Sequence, residues 1–389
     1  MHQNCESSPL LIFSHMRWND TFHRPHQFSS RFSRFRKVYF IEEPIFADGP
    51  SRVFFKETDS GVIVVMFYIE ESKSTEERLI LLKKMLNEMI QDEALEDHSS
   101  LYFTPIPWNY SSHLTPAVLI YDCLDQNLFD LHDPQEFDKR ENELIQACHL
   151  MTTHSYALYH EKQFMHPNFH LIQNSVDYQL FSQARNQLPE PEDQARIRQP
   201  KIGYYGKIDD RLDYKLIDDL AKQRPDYQFI FIGPIAVSED RLPKRNNIHY
   251  LGKKNYYMIP SYIAHWNCAI LPFEENEHTK FLNPIKIKEL LAAGVPVIST
   301  PLSETENILK KFNVIQVGQS SNEIMGFIHK AIINDKSEWI TNVDRYLIGK
   351  SWTTSFLQLA QLEKSLQHPY KTGNLPAYKD ESLISIGIV

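Results

Sequence analysis

The chain of 389 residues is 42% hydrophobic and 23% charged, inside the ordinary globular range, which sets aside disordered and fibrous architectures. It is too long for one core, so two domains of about 150 to 200 residues are expected. The net charge of −9 divides into −11 over residues 1–182 and +2 over the rest, and neither half is the basic domain that a nucleic-acid partner would require.

Cys5, Cys123, Cys148 and Cys268 make no CxxC pair, which argues against a zinc site or disulfide framework and for a reducing compartment. The start MHQNCESSPLLIFSH lacks the basic beginning and long apolar region of a secretory signal. No stretch approaches the ~18 apolar residues of a membrane span. A cytoplasmic location is expected.

Residues 9–14 read as a first strand, followed by WNDTFHRPHQFSSRF from Trp18 to Phe32. Pro25 suits the first turn of a helix. Phe28, Phe32 and Phe35 recur at helical spacing, with Arg24, Gln27, Arg31 and Arg34 on the other face. The pattern fits a helix that packs its Phe stripe on a sheet and leaves a solvated basic face; an interfacial membrane helix is the alternative. Packing leaves Trp18, His23, Arg24 and His26 unexplained, so they are expected on a loop facing a cleft. Further strands are predicted at 37–42, 61–68, 100–105, 117–122, 149–154 and 169–173, with helices at 74–94 and 134–147 between them. Continuous apolar runs of this kind suit parallel strands buried on both faces.

The polar, Pro-bearing stretch 183–200 reads as a linker. Alternation then restarts, with strands at 201–206, 227–233, 247–252, 267–273, 295–300 and 312–317 and helices at 212–223 and 284–293. The expectation is an α/β protein of two doubly wound domains. The first is 1–182; the second is 201–350; and 351–389 is a helix crossing back toward the first domain, followed by a polar tail.

Ligands of parallel sheets bind outside the carboxyl ends of the strands. Neither first strand is followed by GxGxxG, which lowers the odds of a dinucleotide oxidoreductase. In NPIKIKELLAAGVPVISTP, Asn283 is a good N-cap and Pro284 a natural first helical residue, so free backbone N–H groups would suit a phosphate. Lys286 lies on the first turn, Glu289 about 1.5 turns in, and Gly294 ends the helix. An ordinary well-capped helix is the alternative. YDCLDQ ends a strand with Asp122 and Asp125, which either cap the next segment or face the cleft; their spacing is wrong for a glycosidase pair.

The segment KELLAAGVPVIST resembles the donor-sugar motif of retaining glycosyltransferases of family 4, which have the GT-B fold. NSVDYQLF resembles the family's NGVDxxxF stretch, with Ser175 in place of Gly. IGYYGKIDDRLD resembles the opening strand and turn of its nucleotide domain. The resemblance spans about residues 10–365. It implies that Glu289 bonds the ribose hydroxyls, which a carboxylate can do two at a time. It implies as well that Gly206 lets a diphosphate approach the backbone, and that Lys207 with Arg211 stabilises the leaving group beside Lys286 and the Asn283–Pro284 helix start. Asp122 falls near the family's cleft histidine. A second family Glu is replaced here by Phe281, leaving the sugar contact to Thr279, Asn283 or main-chain amides, and Asp213 stands where the family has a second diphosphate-binding cation.

The W(N/D)xxxxRPxQ loop and YDxxD strand end resemble the subset assigned to bacterial surface polysaccharides and teichuronic-type polymers. The resemblance thus implies a UDP- or GDP-linked sugar as donor and a glycan or lipid-linked acceptor. It implies no cofactor or metal, and leaves open a peripheral contact with the inner face of the membrane. Arg24 or His26 is expected to reach the transferred sugar or its phosphate. A nucleotide-sugar 2-epimerase of the same fold and a non-catalytic carbohydrate-binding relic are the competing readings.

Overall fold

In the computed structural model, residues 8–20, 22–124, 133–276, 279, 285–302, 305, 308 and 311–367 are described. Two sheets organise the chain. The first has nine strands: β1 (Leu10–Phe13), β2 (Val38–Ile41), β3 (Ile45–Ala47), β4 (Arg52–Glu57), β5 (Val62–Glu70), β6 (Ser99–Tyr102), β7 (Val118–Cys123), β8 (Leu150–Thr153) and β9 (Phe169–Leu171). Their order is β3-β5-β2-β1-β6-β7-β8-β9, with β4 antiparallel on β5 and the remaining pairs parallel. The direction of winding reverses at β1, which pairs with β2 on one side and β6 on the other. Wholly apolar β1 and β2 are buried along their full length because helices cover both faces.

The second sheet contains β10 (Lys201–Tyr205), β11 (Gln228–Ile232), β12 (Ile248–Tyr250), β13 (Cys268–Leu271), β14 (Val297–Ser299) and β15 (Ile315–Val317). It is parallel throughout, in the order β12-β11-β10-β13-β14-β15. Winding reverses between β10 and β13, and the turns after those two strands are therefore where a ligand crevice forms. The segment 183–200 packs on this sheet's core: Ala184 is buried there, and Gln194 accepts from the Trp266 indole at 2.9 Å and donates to the Tyr262 carbonyl at 2.9 Å.

Helix α1 (Arg24–Phe32) has Pro25 in its first turn. Its Phe stripe meets α9 (Trp352–Gln367): Phe28 lies edge-on to Trp352, Phe32 edge-on to Phe356, and Arg36 pairs with Glu363 at 2.7 Å. The basic face is not solvated as expected, since Arg24 and Gln27 are buried and Arg31 bonds Gln27 at 2.6 Å. The reason is that Asp122 draws Arg24 inward and Arg31 lies near Tyr256 and Tyr257, while Phe28 and Phe32 of the stripe are covered by α9. Chain crossings run side by side: the Val176 amide donates to Lys350 O at 3.0 Å and the Trp352 amide to Val176 O at 3.3 Å. Among the described residues, no helix is long and apolar enough to cross a membrane.

Candidate functional site

The site is built from four chain segments: the loop from β1 into α1, the turn after β10, the loop holding Tyr256, and helix α6 (Ile285–Ala292), which follows β13. Other helices are α2 (Thr75–Asp92), α3 (Pro134–Ala147), α4 (Tyr156–Lys162), α5 (Tyr214–Gln223), α7 (Ser321–Ile333) and α8 (Ser337–Leu347).

The turn after β10 is shaped by two glycines. Gly206 has φ +148 and Gly233 φ +152, and a Cβ on Gly233 would lie 1.8 Å from Gly206 O. Both residues therefore have to be glycine for the two strand ends to approach. A Cβ on Gly206 would meet Lys286 Cε at 2.6 Å. Lys286 thus lies directly against the bare backbone of the turn, with its ammonium 5.8 Å from the Tyr205 ring centroid. Burial holds its pKa below the ordinary lysine value, opposed by Glu289 and reinforced by Arg211.

One turn further along α6, Glu289 is 4% exposed. Tyr205 donates to its Oε2 in a short hydrogen bond, and Tyr256 donates to Oε1 at 2.9 Å. Burial pushes this carboxyl up, while Lys286 and the two tyrosine hydroxyls favour its charged form. Ile285, at the start of the same helix, packs against the first domain's core. Asn283 and Pro284, expected as the helix cap and first residue, lie outside the described residues, as do Phe281 and Asp125.

Lys207 is exposed, and its carbonyl accepts from the Tyr204 hydroxyl at 2.9 Å. Arg211 forms a two-point pair with Asp209, Nε to Oδ1 at 2.9 Å and Nη2 to Oδ2 at 2.7 Å. Asp213 accepts from the Leu216 amide at 2.8 Å and so caps α5, which accounts for an acid at that position. Thr279 is 1% exposed, and its hydroxyl is used within the turn it shares with Asn276, accepting from the Asn276 amide at 3.0 Å.

On the first domain, Arg24 and Asp122 come together. Arg24 Nη2 donates to Asp122 Oδ2 at 2.7 Å, Nε reaches both carboxylate oxygens, and Thr152 adds a bond at 3.0 Å. The pair is 3% and 0% exposed. Arg24 therefore does not extend to a sugar as expected; its charge is committed to Asp122, and Asp122 is filled by donors. His26 is also withdrawn. It is fully buried, its Nδ1 accepts the His23 amide at 3.2 Å, and its ring packs against Trp18, Phe22 and Phe40. Burial lowers its pKa to about 4. Trp18 is anchored by its amide to Glu42 at 2.7 Å, with its ring edge-on to Phe40. The physical reason is common to these residues: the loop closes onto the carboxyl edge of its own sheet before it reaches outward.

His23 is the residue of that loop that meets the second domain. Burial holds its imidazole well below the ordinary value, and Lys286 and Arg211 add to the effect, together with His26 and His15. Phe22 crosses with it, stacking on Tyr256 at 5.7 Å and 26°. Phe22, Tyr205 and Tyr256 did not stand out from the sequence. Tyr205 was hidden in an ordinary strand, and Tyr256 in KKNYYM has no motif around it. Among the described residues, no group of three His, Cys, Asp or Glu could hold a metal ion.

This arrangement, two parallel doubly wound domains whose strand ends face one another, is the GT-B fold. No family model matches the chain. It is 28% identical over 255 residues to TuaH of Bacillus subtilis (strain 168), a protein assigned to glycosyl transfer in teichuronic acid biosynthesis. That match covers 59% of this chain and 62% of the relative, so the chain spans less than two thirds of the relative's length. Sucrose-phosphate synthase from Thermosynechococcus elongatus superposes with a TM-score of 0.65 at 14% identity, over 92% of this chain and 99% of that one. HepE of Anabaena in complex with UDP-glucose gives 0.66 at 14% identity, over 92% and 100%.

Proposed function

We propose that the protein transfers a glycosyl group from a nucleoside-diphosphate sugar to a glycan or lipid-linked acceptor, in the synthesis of a bacterial surface polysaccharide. The observation that carries this reading is the pairing on one helix of Lys286, laid against the Gly206 turn, with Glu289, a buried carboxylate at the inner end of the same crevice. A diphosphate on the bare backbone beside Lys286 would leave its ribose hydroxyls at Glu289. TuaH supports the polymer class, and the UDP-glucose complex of HepE supports the donor class.

In the reaction the bond from the anomeric carbon to the diphosphate oxygen breaks, and the electron pair leaves with the diphosphate. The acceptor oxygen forms the new bond and gives up its proton to the departing diphosphate. Charge develops on the leaving oxygen, and fixed positive groups there lower the barrier most. Lys286 and Arg211 are assigned that role, with Lys207 at the rim and the bare Gly206 backbone giving the diphosphate room to approach. His23, kept neutral by burial and its cationic neighbours, is assigned to the sugar or acceptor side. The Arg24–Asp122 pair fixes the helix start that follows His23, and Thr279 holds its turn in shape. Transfer with retention and independence of metal follow from the resemblance and belong to the proposal, as does work at the inner face of the membrane.

Calorimetric titration with a panel of UDP- and GDP-sugars tests the reading. Hydrogen bonds to a charged group contribute about 1.5–3 kcal/mol, so Glu289→Ala should weaken the preferred donor by roughly ten- to a hundredfold. Unchanged binding by that variant would remove Glu289 from the ribose.

A further inference from the structure

We infer that ribose recognition by Glu289 is set from the first domain, through Phe22 stacked on Tyr256, so that Tyr256, Tyr205 and Phe22 are positioning residues for that carboxylate. The inference rests on the donor reading given above.

A carboxylate offers about four lone-pair sites. Tyr205 uses one on Oε2 and Tyr256 one on Oε1, which leaves one on each oxygen, the number needed for the two hydroxyls of a ribose. Among the described residues, rings rather than further polar contacts hold both tyrosines in place. Phe181, fully buried at the end of NSVDYQLF, stacks on Tyr205 at 6.5 Å and stands edge-on to Tyr256 at 5.6 Å. The remaining side of Tyr256 is covered by Phe22, which belongs to the first domain and is braced in turn by Trp18 and His26. Tyr257 adds a tilted contact to the Phe22 ring at 6.4 Å. A chain of aromatic contacts therefore runs from β2, where Trp18 rests on Phe40, across the domain boundary to Glu289. Separation of the domains would remove Phe22 and free the Tyr256 ring, and with it one of the two hydroxyls that fix the carboxylate.

This also gives the WNDTFHRPHQFSSRF loop a role that neither a helix start nor a direct sugar contact supplies. Trp18, Phe22 and His26 form the first domain's half of the ribose clamp.

The test compares UDP and GDP with their 2′-deoxy counterparts by calorimetry, on the full chain. Wild type should bind the ribonucleotide it prefers about tenfold more tightly than the deoxy form, the range of a hydrogen bond to a charged group. In Tyr256→Phe and Phe22→Ala that ratio should collapse toward one, while Phe22→Tyr, which keeps the ring, restores it. Thermal unfolding of each variant without nucleotide separates this from a folding defect, because a structural role would lower affinity for both nucleotides equally. A deoxy penalty that persists unchanged in Tyr256→Phe and Phe22→Ala would overturn the inference and leave the donor reading standing. A wild type that shows no deoxy penalty, or binds neither nucleotide, overturns the donor reading and this inference with it.

Discussion

A guanidinium 3% exposed against a carboxylate at 0% is held by geometry, since removing two charges from water costs more than their attraction returns unless donors and acceptors are matched. Arg24 and Asp122 are matched, with three bonds between them and a fourth from Thr152. Asp122→Asn or Arg24→Ala should each lose about 3–5 kcal/mol of stability, because one buried charge is left alone. Urea unfolding of both single variants and of the double variant Arg24→Met, Asp122→Leu checks this: the double variant should be more stable than either single one. At Gly233 the backbone sets the outcome. Its φ of +152 and the 1.8 Å approach to Gly206 O mean that Gly233→Ala must displace the turn under Lys286, so nucleotide affinity should fall even where the protein still folds. Equal affinity of Gly233→Ala and wild type, measured by titration, would show that the turn does not carry the diphosphate.

Most strands and helices were legible because the central strands are buried on both faces and write themselves as continuous apolar runs. VYFI and QFIFI are examples, found as β2 and β11. Strands β3 and β4, exposed at the edge of the first sheet, have no such run and were missed. Boundaries in the nucleotide-facing half shifted by a few residues where loops begin, as at β14, which is three residues long. In the candidate site, Glu289 and Lys286 could be read because helix spacing fixes them relative to each other. Arg24 and Asp122 could be named but not paired, being 98 residues apart in the chain and joined only by the sheet order. Tyr256 lacked any periodic context and was invisible for that reason. A similar long-range contact governs α9: Trp352 is 1% exposed against Phe28. Trp352→Ala should cost roughly 3–5 kcal/mol, and hydrogen exchange should report faster opening in α1 as well as α9, since each covers the other.

Four histidines at the carboxyl edge of the first sheet affect the whole molecule's response to pH. Burial lowers His15 and His26 to about 4, His154 to about 3 and His23 well below its ordinary value. Above pH 6.5 all are neutral in both folded and unfolded chains. As pH falls below 6.5 the unfolded chain takes up protons that the folded one refuses, so stability declines, by about 1.4 kcal/mol per pH unit for each such group. Unfolding midpoints should therefore drop between pH 7 and pH 5, and His26→Gln should flatten the slope by one group's share; an identical slope would place His26 in water. The same edge carries both chain crossings and the Phe22–Tyr256 stack, so the relation of the two domains and the state of the crevice are one structural question. Group transfer from a nucleotide sugar is tested most directly by product analysis. Each UDP- or GDP-sugar is incubated with the protein and a lipid-linked glycan fraction, and freed nucleoside diphosphate and acceptor-bound sugar are counted together. Transfer predicts the two in a one-to-one ratio for the preferred donor, lost in Glu289→Ala; a sugar altered while still attached to its nucleotide, or no turnover of any donor, would contradict it.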